Sequence, residues 1–225
     1  GEWNTFAEEI VSKQSSSPSA TLVAPATPPQ RVTDIKNATY KRLDMCNSEV
    51  NRVLGGGVVP GSLILLGGEP GIGKSTLSLQ LALTENSLKT LYVSGEESAE
   101  QIKMRANRIG IRNTECTVFT ETLLENIVAQ IEETHPDVVI IDSIQTMSTD
   151  LVESSPGSVT QIRECAATLL KVAKSSNIAI FIIGHITKDG SIAGPKILEH
   201  IVDVVLQFEG DGNHTYRILR GLKNR

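Results

Sequence analysis

"SLILLGGEPGIGKST", residues 62–76, runs from an unbroken apolar stretch into a glycine-rich loop that ends on a lysine and two hydroxyl residues. Four aliphatic residues in a row, 63–66, bounded by glycines, have the pattern of a strand buried on both faces. Gly68, Gly73, Lys74 and Ser75 then fall at the spacing of a phosphate-binding P-loop. Such a loop turns its backbone N–H groups inward, so Gly68, Glu69, Pro70, Gly71, Ile72 and Gly73 are read as a cradle for phosphate oxygens. Lys74 reaches the β- and γ-phosphates, and the Ser75 hydroxyl ligates Mg²⁺. Thr76 belongs to the first turn of the helix that follows, whose positive dipole end favours the same anion. A glycine-rich turn beside a surface lysine is the competing explanation. It loses weight because strand and helix flank the loop as the motif requires. The implied ligands are ATP or ADP with Mg²⁺.

Outward from this motif, apolar strands alternate with helical stretches. Strands are expected at residues 62–68, 90–95, 116–120, 137–143 and 178–185, and helices at 48–57, 75–83, 98–110, 121–135 and 158–177. Two further strands, 202–210 and 214–222, close the chain as a hairpin around Asp211 and Gly212. The expectation is an α/β fold: a P-loop core with a mostly parallel central sheet, helices on both faces and an antiparallel hairpin at the C-terminal edge. Ligands of such sheets sit at the carboxyl ends of the strands. Residues 12–31, "SKQSSSPSATLVAPATPPQR", are too poor in large apolar groups to offset chain entropy and read as a flexible linker.

Composition sets limits. With 225 residues and 40% hydrophobic content, the chain can bury a large core. No apolar run approaches the ~20 residues of a membrane span, and the acidic opening "GEWNTFAEEI" does not resemble a secretory signal. Cys46, Cys116 and Cys165 are scattered, with no CxxC spacing or paired histidine. They suggest neither zinc nor a disulfide framework and fit a reducing cytosol, as small buried or half-buried side chains. A net charge of −5 argues against a surface basic throughout, so nucleic-acid contact must be local or created by assembly.

Two acidic positions complete the nucleotide site. Asp142 ends the apolar strand "DVVIIDS", residues 137–143, where a carboxylate needs a cation or hydrogen-bond partners. The Walker-B role, holding the Mg²⁺ shell, provides one. "LYVSGEES", residues 91–98, places Glu96 and Glu97 at the end of the strand after the P-loop helix. Glu96 is the candidate to polarise an attacking water. Acidic residues at a helix start also complement its dipole, a role that suits Glu97 better. Arg105 and Arg108, three apart on one helix, could face a nucleotide base or a neighbouring subunit, but a solvated face is the preferred reading.

At this point "GGGVVPGSLILLGGEPGIGKST" (55–76), "LYVSGEES" (91–98), "VVIIDSIQT" (138–146), "GHITKDGSIAGPKILEHIVDVVLQFEGD" (184–211) and the final "LKNR" (222–225) together resemble the bacterial RadA (Sms) family of recombination ATPases. That family is RecA-like and nearest the DnaB-type replicative helicases. The resemblance runs from about Tyr40 to the last residue, and "GEWNTF" resembles the stretch after the family's four-cysteine zinc ribbon. It implies a hexameric ring that hydrolyses ATP between subunits, moves on single-stranded DNA and branched intermediates, and drives branch migration in recombination and repair. It also implies a bacterial cytoplasmic setting and the recombinase RecA as a partner. The family's glutamate falls on Glu96.

The family's hallmark is a KNRFG pentapeptide, of which "KNR" is present. By resemblance, Lys223 and Arg225 join Lys74 as catalytic groups by reaching into a neighbour's nucleotide, where a trans cation can be worth ~10³–10⁵ in rate. On residues alone they would be a solvated basic terminus. The zinc-ribbon cysteines and the family's Lon-like C-terminal domain are not found within these 225 residues. Residues 1–38 are accordingly expected to be a flexible segment after a missing ribbon, and 39–225 an ATPase domain ending inside its signature motif, with no zinc.

RecA-like rings contact DNA through loops after core strands. "STDLVESSPGSVTQ", 148–161, carries no cation, whereas "HITKDGSIAGPK", 185–196, carries Lys188 and Lys196 with Gly190. These three are the candidate DNA-binding residues, suited to backbone contact without base stacking. Both loops could equally be ordinary surface turns, the first more than the second. His185, at the strand end before the second loop, stands where RecA-like proteins place a polar sensor of nucleotide state. Capping the loop is the other role open to it. A DNA-stimulated motor leads the readings. A nucleotide-gated binding module with little hydrolysis comes next, and a RecA-like phosphotransferase last, because no arginine-rich lid is evident.

Overall fold

The computed structural model describes residues 31–34, 41–84, 88–185, 195–210 and 216–225. The chain divides into two compact units, Gly1–Thr39 and Tyr40–Arg225. Of the first, only a short 3₁₀ turn at Val32–Asp34 and its preceding residue are described, so the linker expected at 12–31 lies outside the described residues save for Arg31.

The second unit alternates strands and helices: α1 (Ser48–Val53), β1 (Leu63–Gly68), α2 (Lys74–Leu83), β2 (Thr90–Ser94), α3 (Ala99–Ile109), β3 (Cys116–Thr120), α4 (Leu124–Thr134), β4 (Val138–Asp142), α5 (Val159–Ser176), β5 (Ala179–His185), α6 (Pro195–Ile201), β6 (Val204–Gly210) and β7 (Arg217–Asn224). The strands form one seven-stranded sheet in the order β3-β2-β4-β5-β1-β6-β7. All neighbours pair in parallel except β6 and β7, which are antiparallel. The expected α/β, RecA-like architecture with its antiparallel edge is therefore the one observed.

The continuous apolar run of β1 is explained by its two neighbours and two covered faces. Side chains alternate across the sheet. Leu63 and Leu65 enter one core with α4, α5 and α6, whereas Ile64 and Leu66 enter the other with α1, α2 and α3. The strands β1, β2 and β4 are buried at every position, but β3 and β7, at the two edges, are largely exposed. Truncating a wholly buried residue such as Leu65 to alanine costs about 2–5 kcal/mol in cores of this kind.

Local chemistry sets the helix ends. α3 opens with a capping box, Ser98 accepting from Gln101 N while the Gln101 side chain accepts from Ser98 N. α5 opens on Ser158 and ends on Asn177 in the left-handed conformation. Three expectations shift. α1 ends at Val53 rather than residue 57, and its cap is Asn47, which accepts from Val50 N. α4 begins at Leu124 rather than residue 121, because the Glu121 carboxylate accepts from the N–H groups of Thr122 and Leu123 and holds them in a turn. α6 was not foreseen at all: its opening Pro195 fits a first helical position but reads in sequence as loop. Cys46 is exposed, contrary to the expectation of buried thiols, while Cys165 is buried and Cys116 half-buried. Burial pushes the Cys165 thiol up to about 12 and Cys116 up to about 11.

Candidate nucleotide site

The P-loop leaves β1 at its carboxyl end and enters α2 at Lys74. Gly71 and Gly73 adopt φ of 76° and 111°, a region that strongly favours glycine. Gly68 is constrained differently: the Phe208 carbonyl oxygen lies 2.7 Å from where a Cβ would stand, so the neighbouring strand β6 could not approach a larger residue. Lys74 is buried, and its Nζ donates to the carbonyls of Gly68 at 2.8 Å and Glu69 at 2.9 Å. Burial lowers its pKa, while the Asp142 and Glu96 charges pull it back upward. Glu69, Pro70, Gly71 and Thr76 are exposed, leaving the outer rim of the loop open.

Asp142, at the end of β4, is the buried carboxylate expected there, and its partners are two hydroxyls. Ser75 Oγ donates to Oδ1 at 3.1 Å and the Tyr92 hydroxyl to Oδ2 at 2.7 Å. The Tyr92 oxygen in turn accepts from Arg105 Nη2 at 3.3 Å, and Arg105 Nη1 pairs with Glu97 at 3.0 Å. Burial, and then the Asp142 charge, keep the Tyr92 phenol far above its ordinary pKa, so it remains a donor. Arg105 is thus not part of a solvated face: its side chain is only 16% exposed, because it closes a chain from the surface to Asp142. Tyr92 escaped the sequence reading. Its signal was a phenol inside an otherwise apolar strand, a hydroxyl that must find a partner when buried.

Glu96 follows β2, beside β4, and its Oε1 accepts from Ser143 Oγ at 2.5 Å and faces His185 Nε2 at 3.2 Å. Since a carboxylate only accepts, His185 donates to it from Nε2. Burial pushes the Glu96 pKa up, but the Ser143 and His185 hydrogen bonds and the nearby His185 and Lys74 charges outweigh it and hold the group below 4.5. Glu96 is consequently ionised at neutral pH and fixed in orientation. His185 turns toward Glu96 here, and its Nδ1 is buried without a partner. Glu97 lies just ahead of the α3 cap and pairs with Arg105, so the two adjacent acids have separate environments.

The other candidates are dispersed. Lys223 and Arg225 lie at the far end of β7, where Lys223 pairs with Val205 and Asn224 with Val204, near the amino ends of the parallel strands. About eight strand residues, on the order of 25 Å, separate them from the P-loop end of the same strand. Neither can reach the P-loop of its own chain. Lys223 Nζ donates to the carbonyls of Glu199 at 2.5 Å and Val202 at 2.6 Å, capping the end of α6. Lys188 and Gly190 lie outside the described residues; Lys196 is in α6, its side chain likewise outside. The first loop is tied to α5 by the buried Gln161, whose amide donates to the carbonyls of Thr149, Val152 and Ser154.

These residues fit Mg²⁺ bound with a nucleotide. No cluster of three or more acidic, cysteine or histidine ligands occurs among the described residues. A P-loop ion does not need one, since phosphate oxygens and water fill most of its octahedron. The adjacent Ser75 and Asp142 oxygens are a suitable protein share.

Fold and site together define a RecA-like P-loop core, and the chain belongs to the AAA domain family, whose model matches residues 29–191. The resemblance to the bacterial RadA proteins holds along the whole chain. It is 52% identical to the DNA repair protein RadA of Halalkalibacterium halodurans, covering 99% of this chain and 50% of that protein. Identity to DNA repair protein RadA of Bacillus subtilis is 51%, over 100% of this chain and 50% of the relative. The chain thus spans about half the length of the curated relatives it matches. Among solved structures, a KaiC-like protein of Pyrococcus horikoshii superposes with a TM-score of 0.69 at 18% identity, covering 83% of this chain and 89% of that one. At that identity the likeness concerns the fold alone.

Proposed function

We propose that this chain is the ATP-hydrolysing core of a DNA-stimulated motor that acts in homologous recombination and DNA repair. The observation that supports it most is the convergence of Lys74, Ser75, Asp142 and Glu96 at the carboxyl end of one sheet. Similarity to the DNA repair proteins named RadA supplies the DNA part of the reading.

In this mechanism Lys74 leaves the Gly68 and Glu69 carbonyls and turns to the γ-phosphate. Glu96 accepts a hydrogen bond from the attacking water and takes its proton as the new O–P bond forms and the bridging O–P bond breaks. Ser143 and His185 keep the carboxylate aimed. His185 is thereby placed to report nucleotide state to the loop that follows it. Mg²⁺, held by Ser75 and Asp142, supplies charge neutralisation on the β- and γ-phosphates when bound. Lys223 and Arg225, too distant to act at home, serve the neighbouring subunit's nucleotide in a ring, proposed to be hexameric. Lys188, Gly190 and Lys196 contact single-stranded DNA or branched intermediates, with RecA as a partner, in the bacterial cytoplasm.

The deciding experiment is steady-state ATP hydrolysis with and without single-stranded DNA. Turnover should rise with DNA and be abolished in Lys74→Ala without loss of the folded far-UV spectrum. Undiminished hydrolysis by Lys74→Ala would sink the proposal. A second reading, a nucleotide-gated binding module with little hydrolysis, is favoured by the engagement of Lys223 with Glu199 and Val202 of its own subunit. Single-turnover phosphate release separates the two: ATP-dependent DNA retention without release supports the module.

A further inference from the structure

The γ-phosphate end of the site is fixed by Asp142 and Glu96, both on the β2–β4–β5 side of β1. A nucleotide held by Gly73 and Lys74 must therefore extend its remaining phosphates and nucleoside the other way. There the sheet order places β6 and β7.

That side is not blank. Arg217, the first residue of β7, brings Nη1 to 3.0 Å and Cζ to 3.6 Å from the position a Cβ on Gly73 would occupy. Phe208 Cε1 stands 3.6 Å from the same point. The P-loop is closed against this wall, since Ile72 Cδ1 lies 2.6 Å from a Cβ position on Gly210. Beyond Arg217 an open cleft continues between α1, α2 and β7, with Leu77, Phe208 and Ile218 among its apolar lining.

Arg217 also differs from the other arginines nearby. Arg220 pairs with Glu209 at 3.4 Å and Arg52 with Glu49 at 2.5 Å. Among the described residues Arg217 is exposed and its side chain has no hydrogen bond or ion pair, although it lies against the turn read as holding phosphate. A planar guanidinium suits phosphate oxygens with two parallel donors and tolerates a ring stacked on its face.

We propose that Arg217 is a second cation of the nucleotide site, supplied by the same subunit. It takes an oxygen of the phosphates that are not transferred, and Phe208 with Leu77 provides an apolar wall for the nucleoside. The ligand class is a nucleoside diphosphate or triphosphate. The inference rests on the P-loop reading above and adds a residue to it that no motif marks.

The test is the affinity of the whole 225-residue chain for ribose-labelled fluorescent ADP with Mg²⁺, measured by anisotropy. Arg217→Ala should weaken binding roughly tenfold, the loss of one charge-assisted contact, and Arg217→Lys by about threefold. Arg217→Gln, which keeps most of the side chain's length, repeats the measurement should alanine disturb the edge strand. Affinities of Arg217→Ala and Arg217→Gln within twofold of the unmodified protein would overturn the inference and leave the P-loop site intact. No saturable binding by the unmodified protein would instead overturn the nucleotide reading beneath it.

Discussion

The two flanks of the P-loop are built on different principles. Toward β2, β4 and β5, Asp142 is held by Ser75 and Tyr92, Tyr92 by Arg105, Arg105 by Glu97, and Glu96 by Ser143 and His185. Toward β6 and β7 the contacts are mainly steric, with Gly68 against the Phe208 carbonyl and Gly210 against Ile72, and the Arg217 side chain has no polar partner among the described residues. Chemistry demands groups fixed before charge develops, because reorganising them during the reaction would add to the barrier. Holding a nucleoside demands only complementary surface. The flank that is costly to build, with polar groups taken out of water, is therefore the one that faces the γ-phosphate in the proposed mechanism.

The largest effect that should distinguish the flanks belongs to Glu96. Glu96→Gln keeps the shape but removes the proton acceptor, so turnover should fall by about 10²–10⁴ while affinity for ADP changes little. Phosphate release and ADP binding measured on the same preparation check this. A fall in affinity as large as that in turnover would show that the two flanks are not separable. The charge state adds a sign. Because its pKa is lowered from the ordinary carboxylate value, Glu96 is ionised at neutral pH, and any acidic limb of the rate profile due to this group lies on the acid side of that value. Its small contribution to stability is present above that ordinary value and lost as pH falls through the lowered one.

A smaller effect should follow at Tyr92. Tyr92→Phe preserves the packing of β2 but removes the hydroxyl that donates to Asp142 at 2.7 Å. Partners of metal ligands commonly affect metal affinity by 10–100-fold, so the Mg²⁺ concentration needed to support ADP binding should rise about tenfold. Titrating Mg²⁺ against nucleotide fluorescence reads this without any turnover. An unchanged midpoint would reduce Tyr92 to a packing residue, and the ordered flank to its two carboxylates.

The fold and the phosphate-binding half were legible because both are written in local pattern. A four-residue aliphatic run and a spaced glycine loop need no knowledge of distant residues. Asp142 was legible for the same reason, as a charge at the end of an apolar strand. Tyr92, Ser143, Arg105 and Arg217 were not, since their roles arise from registers such as Ser94 against Asp142 and Gly210 against Arg217. Strand order brings those residues together, and no spacing along the chain announces it. α6 was hidden differently: a proline in a glycine-containing stretch signals a turn as readily as a helix start.

The smallest effect contrasts the two terminal cations, which the KNR motif would treat alike. Lys223 is engaged, donating to the carbonyls of Glu199 and Val202 at the end of α6. Among the described residues Arg225 is anchored only through its backbone, whose N–H donates to the Asp203 carbonyl at 3.2 Å. A cation at a helix carboxyl end is worth about 0.3–1 kcal/mol. Lys223→Met should therefore lower the melting temperature by about 1–4 °C, and Arg225→Met by less than about 1 °C. If Lys223→Met proves as silent as Arg225→Met, the ammonium is not held at home. Both cations would then be equally free to meet a neighbour's triphosphate. If the difference appears, reaching across a subunit boundary requires Lys223 first to give up the carbonyls of α6, and assembly must supply that free energy.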